Sequence, residues 1–178
     1  MKERTYRTAM GGLVTAAAIA VMFLGSILPF ATFAAPALAA LCVLYFCLEF
    51  SAGTAAVVYI AIAVLAVLLV PDKEQAFLFV CVFGFYPVIK KLVERRMNKF
   101  IGIAVKMLYF NITVCGLYYV LTRLFVLEAV RSEFAEYTTV MLIVMLAMGN
   151  VMFYLYDVAL TRVSFLYFAK LKPRLVRH

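Results

Sequence analysis

The sequence predicts an all-α integral membrane protein, folded as one compact bundle of six transmembrane helices that forms a single domain over residues 1–178. Of its residues, 67% are hydrophobic and 15% are charged, whereas about 25% are charged in an ordinary soluble domain. A helix needs about 20 predominantly apolar residues to cross a bilayer. Because such runs use up almost the whole chain, we expect no separate soluble domain.

Six apolar runs define the predicted spans. In chain order they cover residues 9–29, 32–50, 54–70, 75–89, 100–127 and 138–168, and the third and fourth are the shortest. Pro29 and Pro36 lie in an apolar connection after the first span, which is poorly solvated and restricted in its backbone. We expect residues 29–36 to fold back over the bundle as a tight turn or as a lid. Pro87 is expected to distort the last turn of the fourth span.

The charge distribution predicts the orientation of the spans. The net charge is +8, and with both termini in the cytoplasm twelve basic residues lie on the inner side and three on the outer side. The inner residues are Lys2, Arg4, Arg7, Lys90, Lys91, Arg95, Arg96, Lys99, Lys170, Lys172, Arg174 and Arg177, and the outer residues are Lys73, Arg123 and Arg131. This asymmetry is typical of a multi-pass cell-membrane protein. The basic loops suit contact with the lipid bilayer, and no nucleic-acid-binding motif is present.

Polar side chains inside the last two runs predict contacts across a helical hairpin. In antiparallel helices, residues at equal depth have numbers with a nearly constant sum, and Lys106 with Asp157 and Asn111 with Asn150 obey this rule. A charge at mid-bilayer costs about 2.5–3.5 kcal/mol and is tolerated beside a partner or a wet cavity. We therefore expect Lys106 and Asp157 to form a structural ion pair. For the asparagines, an interhelical hydrogen bond and a ligand site both stay open.

The outer half of the same hairpin carries the other candidates for a substrate-binding site. Tyr118 or Tyr119 is expected to form a wall above Asn111 and Asn150, and Arg123 is a rim charge suited to a carboxylate or phosphate. An apolar cavity with a few directed polar groups is the usual form of a small-molecule site.

Catalytic and metal-binding signatures are missing from the sequence. The single histidine is His178, and there is no Walker A, G-x-S-x-G or H-E-x-x-H motif. The four cysteines lack C-x-x-C spacing, which indicates neither a disulfide framework nor a zinc site. We expect no enzyme activity, no metal and no cofactor.

The first span carries small residues at every fourth position. Gly12, Ala16 and Ala20 form one smooth stripe on a helix, and Thr8 extends it. Such a stripe lets another helix approach closely. It predicts either docking of a partner protein or packing within the bundle.

In outline, the whole chain resembles the substrate-binding S component of energy-coupling factor transporters. The resemblance rests on six spans in under two hundred residues, the small residues Gly12, Ala16 and Ala20, the proline-containing outer connection and the basic inner loops. It implies that Ala16 and Ala20 match the motif that contacts the transmembrane coupling subunit, which works with ATPases. It also implies a vitamin-like substrate bound toward the outer side, although no vitamin-specific signature is present.

A structural or scaffolding membrane protein is the alternative. In that case the polar pairs only hold the helices together, and the basic face recruits partners.

Overall fold

The computed structural model describes residues 2–28, 31–123 and 139–171, and this part of the chain is helical without any strand. The all-α prediction is therefore confirmed. The helices are α1 (Lys2–Gly25), α2 (Ala34–Glu49), α3 (Ala52–Leu69), α4 (Lys73–Leu78), a π-helical segment (Phe79–Phe83), α5 (Tyr86–Arg96), α6 (Lys99–Arg123), α7 (Thr139–Leu166) and a second π-helical segment (Tyr167–Leu171). The chain divides into two compact units, Met1–Leu127 and Glu128–His178.

Five helical stretches of the described chain are long and apolar enough to cross a membrane. They are Arg4–Gly25, Ala52–Leu69, Lys73–Arg96, Lys99–Val120 and Val140–Ala169. The remaining apolar helix, Ala34–Glu49, has 16 residues and a length of about 24 Å, against about 30 Å for the hydrocarbon core. Of the six predicted spans, five thus correspond to a helix of membrane-spanning length in the described chain, and the helix that falls short belongs to the second span, not to the third or fourth.

Local side chains explain where α3 and α4 begin. Ser51 caps α3 in a reciprocal capping box with Thr54, and the Asp72 carboxylate accepts from the Gln75 backbone N–H to cap α4. The ammonium of Lys73 donates to the carbonyls of Val67 and Val70, at 2.9 and 3.0 Å. It thereby satisfies carbonyls that the end of α3 leaves without helical partners.

The core of the first unit is built largely from alanine. Helices α1, α2 and α3 pack against one another, and fully buried alanines occur on each of them: Ala18, Ala39, Ala40, Ala55 and Ala66. Small side chains allow the helix backbones to approach closely, which increases the van der Waals contact between them. Phe46 and Met22 fill the remaining space.

The fourth predicted span is interrupted before Pro87. Phe79–Phe83 forms a π-helical turn, in which the Gly84 N–H donates to the Phe79 carbonyl at 2.7 Å. Pro87 lies in the first turn of α5, where the missing N–H costs no hydrogen bond. The prediction that Pro87 distorts the last turn is wrong, because the helix continues to Arg96.

Two tyrosines stabilise the π-helical turn from neighbouring helices. The Tyr59 hydroxyl of α3 donates to the Val80 carbonyl at 2.7 Å, and the Tyr109 hydroxyl of α6 lies 3.0 Å from the carbonyls of Cys81 and Val82. These hydroxyls satisfy carbonyls that the altered helical ladder frees. The π-helical turn therefore links α3 to α6, because its carbonyls accept hydrogen bonds from both helices.

Candidate functional site

Gln75 is the centre of a buried polar cluster in the first unit. Its side chain is fully buried, and its amide nitrogen donates to the Met22 carbonyl at 2.7 Å. The Ser26 hydroxyl lies 3.2 Å from the Gln75 amide oxygen. In the sequence, Gln75 lies only at the start of the predicted fourth span, directly after three charged residues. These charged neighbours give no indication that its amide is buried.

Asp72 attaches the connection after α1 to the start of α4. The Thr32 hydroxyl donates to its second carboxylate oxygen at 3.2 Å. Ala31 is buried, Ala35 and Pro36 are buried in the first turn of α2, and Phe33 is 56% exposed, so the folding of residues 29–36 back over the bundle stays a prediction. Pro29 lies outside the described residues, and the role of residues 29–36 as a lid stays a prediction.

The end of α1 and the start of α2 approach each other closely next to the hydrogen bond between Thr32 and Asp72. A Cβ added at Gly25 would overlap the Cβ of Ala35 and lie 3.0 Å from the Gln75 amide nitrogen. The end of α1 therefore needs glycine in order to reach α2 and the Gln75 cluster.

The predicted binding residues on α6 differ in their surroundings. The Asn111 amide donates to the Met107 carbonyl of its own helix at 2.8 Å. The Tyr118 hydroxyl donates to the Glu74 carboxylate of α4 at 2.8 Å, a contact that the sequence did not predict. Tyr119 is 67% exposed. The side chain of Arg123 lies outside the described residues.

The second unit holds the other half of each predicted hairpin pair. The Asn150 amide donates to the Leu146 carbonyl at 2.8 Å. The Asp157 backbone carbonyl accepts from the Thr161 hydroxyl at 2.9 Å. Asn111 and Lys106 lie in the first unit, and Asn150 and Asp157 lie in the second. Both predicted pairs therefore stay predictions from the sequence.

Lys106 has a carboxylate partner within its own unit. Its ammonium and that of Lys90 lie 2.8 and 2.7 Å from the same oxygen of Glu94. Both lysines are buried, whereas the Glu94 side chain is 46% exposed. This cluster joins α5 to α6, and the apolar runs did not predict it because Glu94 lies outside the predicted fourth span.

The small-residue stripe of α1 is exposed along its length. Gly12, Ala16 and Ala20 all lie on the surface, as does Thr8, and a Cβ at Gly12 would meet nothing within 4 Å. The opposite face of α1 packs into the core through Ala18 and Met22. In the described structure, the stripe therefore takes no part in the packing of α1 against α2 and α3.

Within the described residues, no group of three or more histidine, cysteine, aspartate or glutamate side chains has an arrangement able to hold a metal ion. Comparisons of the chain with protein-family models, curated proteins and solved structures found no match.

Proposed function

We propose that the chain is a multi-pass protein of the cell membrane with six spans and both termini in the cytoplasm. Five long apolar helices support this placement, as does the excess of basic residues at one end of the predicted spans. The helices also present large apolar side chains on their surfaces, including Leu13, Val57 and Leu108, each at least 60% exposed. Exposed apolar surface of this extent suits lipid better than water.

We further propose that this protein is the substrate-capture subunit of an energy-coupling factor type importer. It would bind a vitamin-like small molecule at the outer side and dock onto a transmembrane coupling subunit with its ATPases. The exposure of the whole stripe of Gly12, Ala16 and Ala20 carries this proposal. A smooth helix face left uncovered by the chain's own core is what close docking of another membrane helix requires.

Docking is tested by a bulky replacement in the stripe. Ala16→Leu should abolish co-purification with the coupling subunit and abolish uptake, while the isolated protein keeps its fold because Ala16 is exposed. Ala17→Leu is the matched control, since Ala17 is also exposed but lies next to the stripe on the helix. Equal partner recovery with both variants would exclude the stripe as the docking face, and loss of folding in Ala16→Leu would favour internal packing.

The proposed ligand site lies on the outer half of the last two spans. Asn111, Asn150, Tyr118, Tyr119 and Arg123 are the residues assigned to it. The attachment of Thr32 to Asp72 supports a connection held over the outer end of the first unit.

Capture of a ligand is tested by native mass spectrometry of the purified protein, which should retain a small molecule. The same molecule should raise the Tm of the parent protein and fail to raise that of Asn111→Ala or Asn150→Ala. A parent protein that retains no molecule and is stabilised by none would remove the capture proposal.

A scaffolding role is the second candidate, and one observation favours it. Among the described residues, every buried side-chain nitrogen or oxygen has a hydrogen-bond partner within the chain. A polar interior that is satisfied without a ligand is what a purely structural bundle requires.

A further inference from the structure

The turn between α5 and α6 is short and closely packed. The Met97 N–H donates to the Val93 carbonyl at 2.9 Å, and the Gly102 N–H donates to the Asn98 carbonyl at 2.8 Å. Val93 and Gly102 are buried against each other, since a Cβ at Gly102 would lie 3.4 Å from the Val93 side chain. The side chains around this turn are therefore displayed from a fixed backbone.

Three basic side chains on the turn are exposed: Arg95, Arg96 and Lys99. The nearby Glu94 carboxylate is shared by the ammonium groups of Lys90 and Lys106. Within the described part of the chain, Arg95, Arg96 and Lys99 have no hydrogen-bond or ion-pair partner. The turn therefore presents a concentrated positive charge to its surroundings.

Exposed apolar side chains lie directly beside these charges. Leu92 is 46% exposed and precedes Arg95 and Arg96 by three and four residues, which places all three on one face of α5. Phe100, 85% exposed, follows Lys99 at the start of α6. An apolar side chain next to a basic one is the arrangement found where a protein meets lipid headgroups.

The exposed face of α6 indicates the depth at which the α5–α6 turn lies in a bilayer. Phe100, Ala104, Leu108 and Ile112 recur every fourth residue and are all exposed, and Tyr119 continues this face. At 1.5 Å per residue, Phe100 and Tyr119 are about 28 Å apart along the helix, close to the thickness of a bilayer core of about 30 Å. With this stripe in the acyl chains, Arg95, Arg96 and Lys99 lie at the level of the phosphates.

We propose that the α5–α6 turn is a binding site for the headgroup phosphate of an anionic phospholipid. Arg95 and Arg96 bind the phosphate, because guanidinium groups match its oxygens with paired donors. Leu92 and Phe100 contact the acyl chains of the same lipid. The inference rests on the proposed membrane placement and is independent of substrate capture.

The test uses the full-length protein in mild detergent, titrated with phosphatidylglycerol or phosphatidylcholine, and native mass spectrometry to count the bound lipids. The parent protein should bind phosphatidylglycerol in preference, and the preference should weaken at high salt. Each basic residue near a membrane surface contributes about fivefold in affinity. Arg95→Gln/Arg96→Gln should therefore lower the affinity for phosphatidylglycerol by about 25-fold and leave that for phosphatidylcholine unchanged.

Arg4→Gln/Arg7→Gln is the matched control. It removes two exposed charges from the same predicted side of the membrane, on α1, where the Arg7 guanidinium lies over the Phe50 ring, and should lower the affinity for phosphatidylglycerol clearly less than Arg95→Gln/Arg96→Gln does. Equal binding of the two lipids by the parent protein would overturn the proposal, as would an equal loss in both double variants. Separately, recovery of the protein outside the membrane fraction of cells would overturn the membrane placement itself.

Discussion

The carboxylate of Glu94 offers the sharpest test of how this protein tolerates buried charge. One of its oxygens accepts from both Lys90 and Lys106, whose side chains are 4% and 6% exposed. Glu94→Ala removes the negative charge next to both ammonium groups. Because loss of this carboxylate reduces the compensation of two buried ammonium groups, we expect the variant to be less stable than the parent.

The size of the expected stability loss follows from the burial of the two lysines and the partial exposure of Glu94. Removing one partner of a fully buried ion pair costs about 3–5 kcal/mol, and a hydrogen bond to a charged group contributes about 1.5–3 kcal/mol. Since Glu94 is nearly half exposed, water screens part of its charge. We therefore expect a loss of about 2 kcal/mol in the free energy of unfolding, which lowers the Tm of a chain of this length by about 4–8 °C.

Thermal unfolding in detergent without anionic lipid measures this effect. Glu94→Gln keeps an acceptor oxygen and should lose less stability than Glu94→Ala. The exposed neighbour Arg96 is the control, and Arg96→Gln should change stability by less than about 0.5 kcal/mol. A Glu94→Ala protein that unfolds at the Tm of the parent would refute the reasoning.

A double variant separates charge from packing. Lys106→Met replaces a buried ammonium with an apolar side chain of similar length and leaves Glu94 paired with Lys90, so it should cost less than Glu94→Ala. Combined with Glu94→Ala, it should recover part of the lost Tm. Strictly additive losses would contradict a shared electrostatic interaction.

Three further predictions concern packing, buried hydrogen bonds and topology. Gly25→Ala should lower the free energy of unfolding by about 1–3 kcal/mol because its methyl group meets the first turn of α2. Gly12→Ala, which meets nothing, should be neutral or stabilise by up to about 1 kcal/mol; equal effects of the two changes on Tm would contradict the close approach. Gln75→Leu should cost about 1–3 kcal/mol in the same assay through lost buried hydrogen bonds, and an unchanged Tm would show that the cluster is dispensable. In intact cells, an impermeant thiol reagent should label Phe33→Cys above the level of the parent protein and should not label Asn98→Cys. The opposite labelling pattern would show that the termini lie outside the cell.

Composition and apolar run length were sufficient to predict the helical class and most helix positions. The first predicted span, residues 9–29, overlaps α1, and the run at 54–70 corresponds to α3 within two residues at its start. This works because a long apolar run without helix breakers is a local property of the sequence, and such a run favours a helix. The sequence also identified the polar side chains that lie within the predicted spans, such as Lys106 and Asn111.

Tertiary structure decided which polar groups meet within the first unit and which helix face stays uncovered. Glu94 and Lys106 are twelve residues apart, and Gln75 and Met22 are 53 residues apart, so no local pattern joins them. The π-helical turn at Phe79–Phe83 likewise depends on hydroxyl groups supplied by α3 and α6. The small-residue stripe was visible in the sequence, but its exposure was not, because alanine and glycine suit a buried helix seam and an open docking face equally well. Only the packing of the opposite face, through Ala18 and Met22, leaves the stripe on the surface.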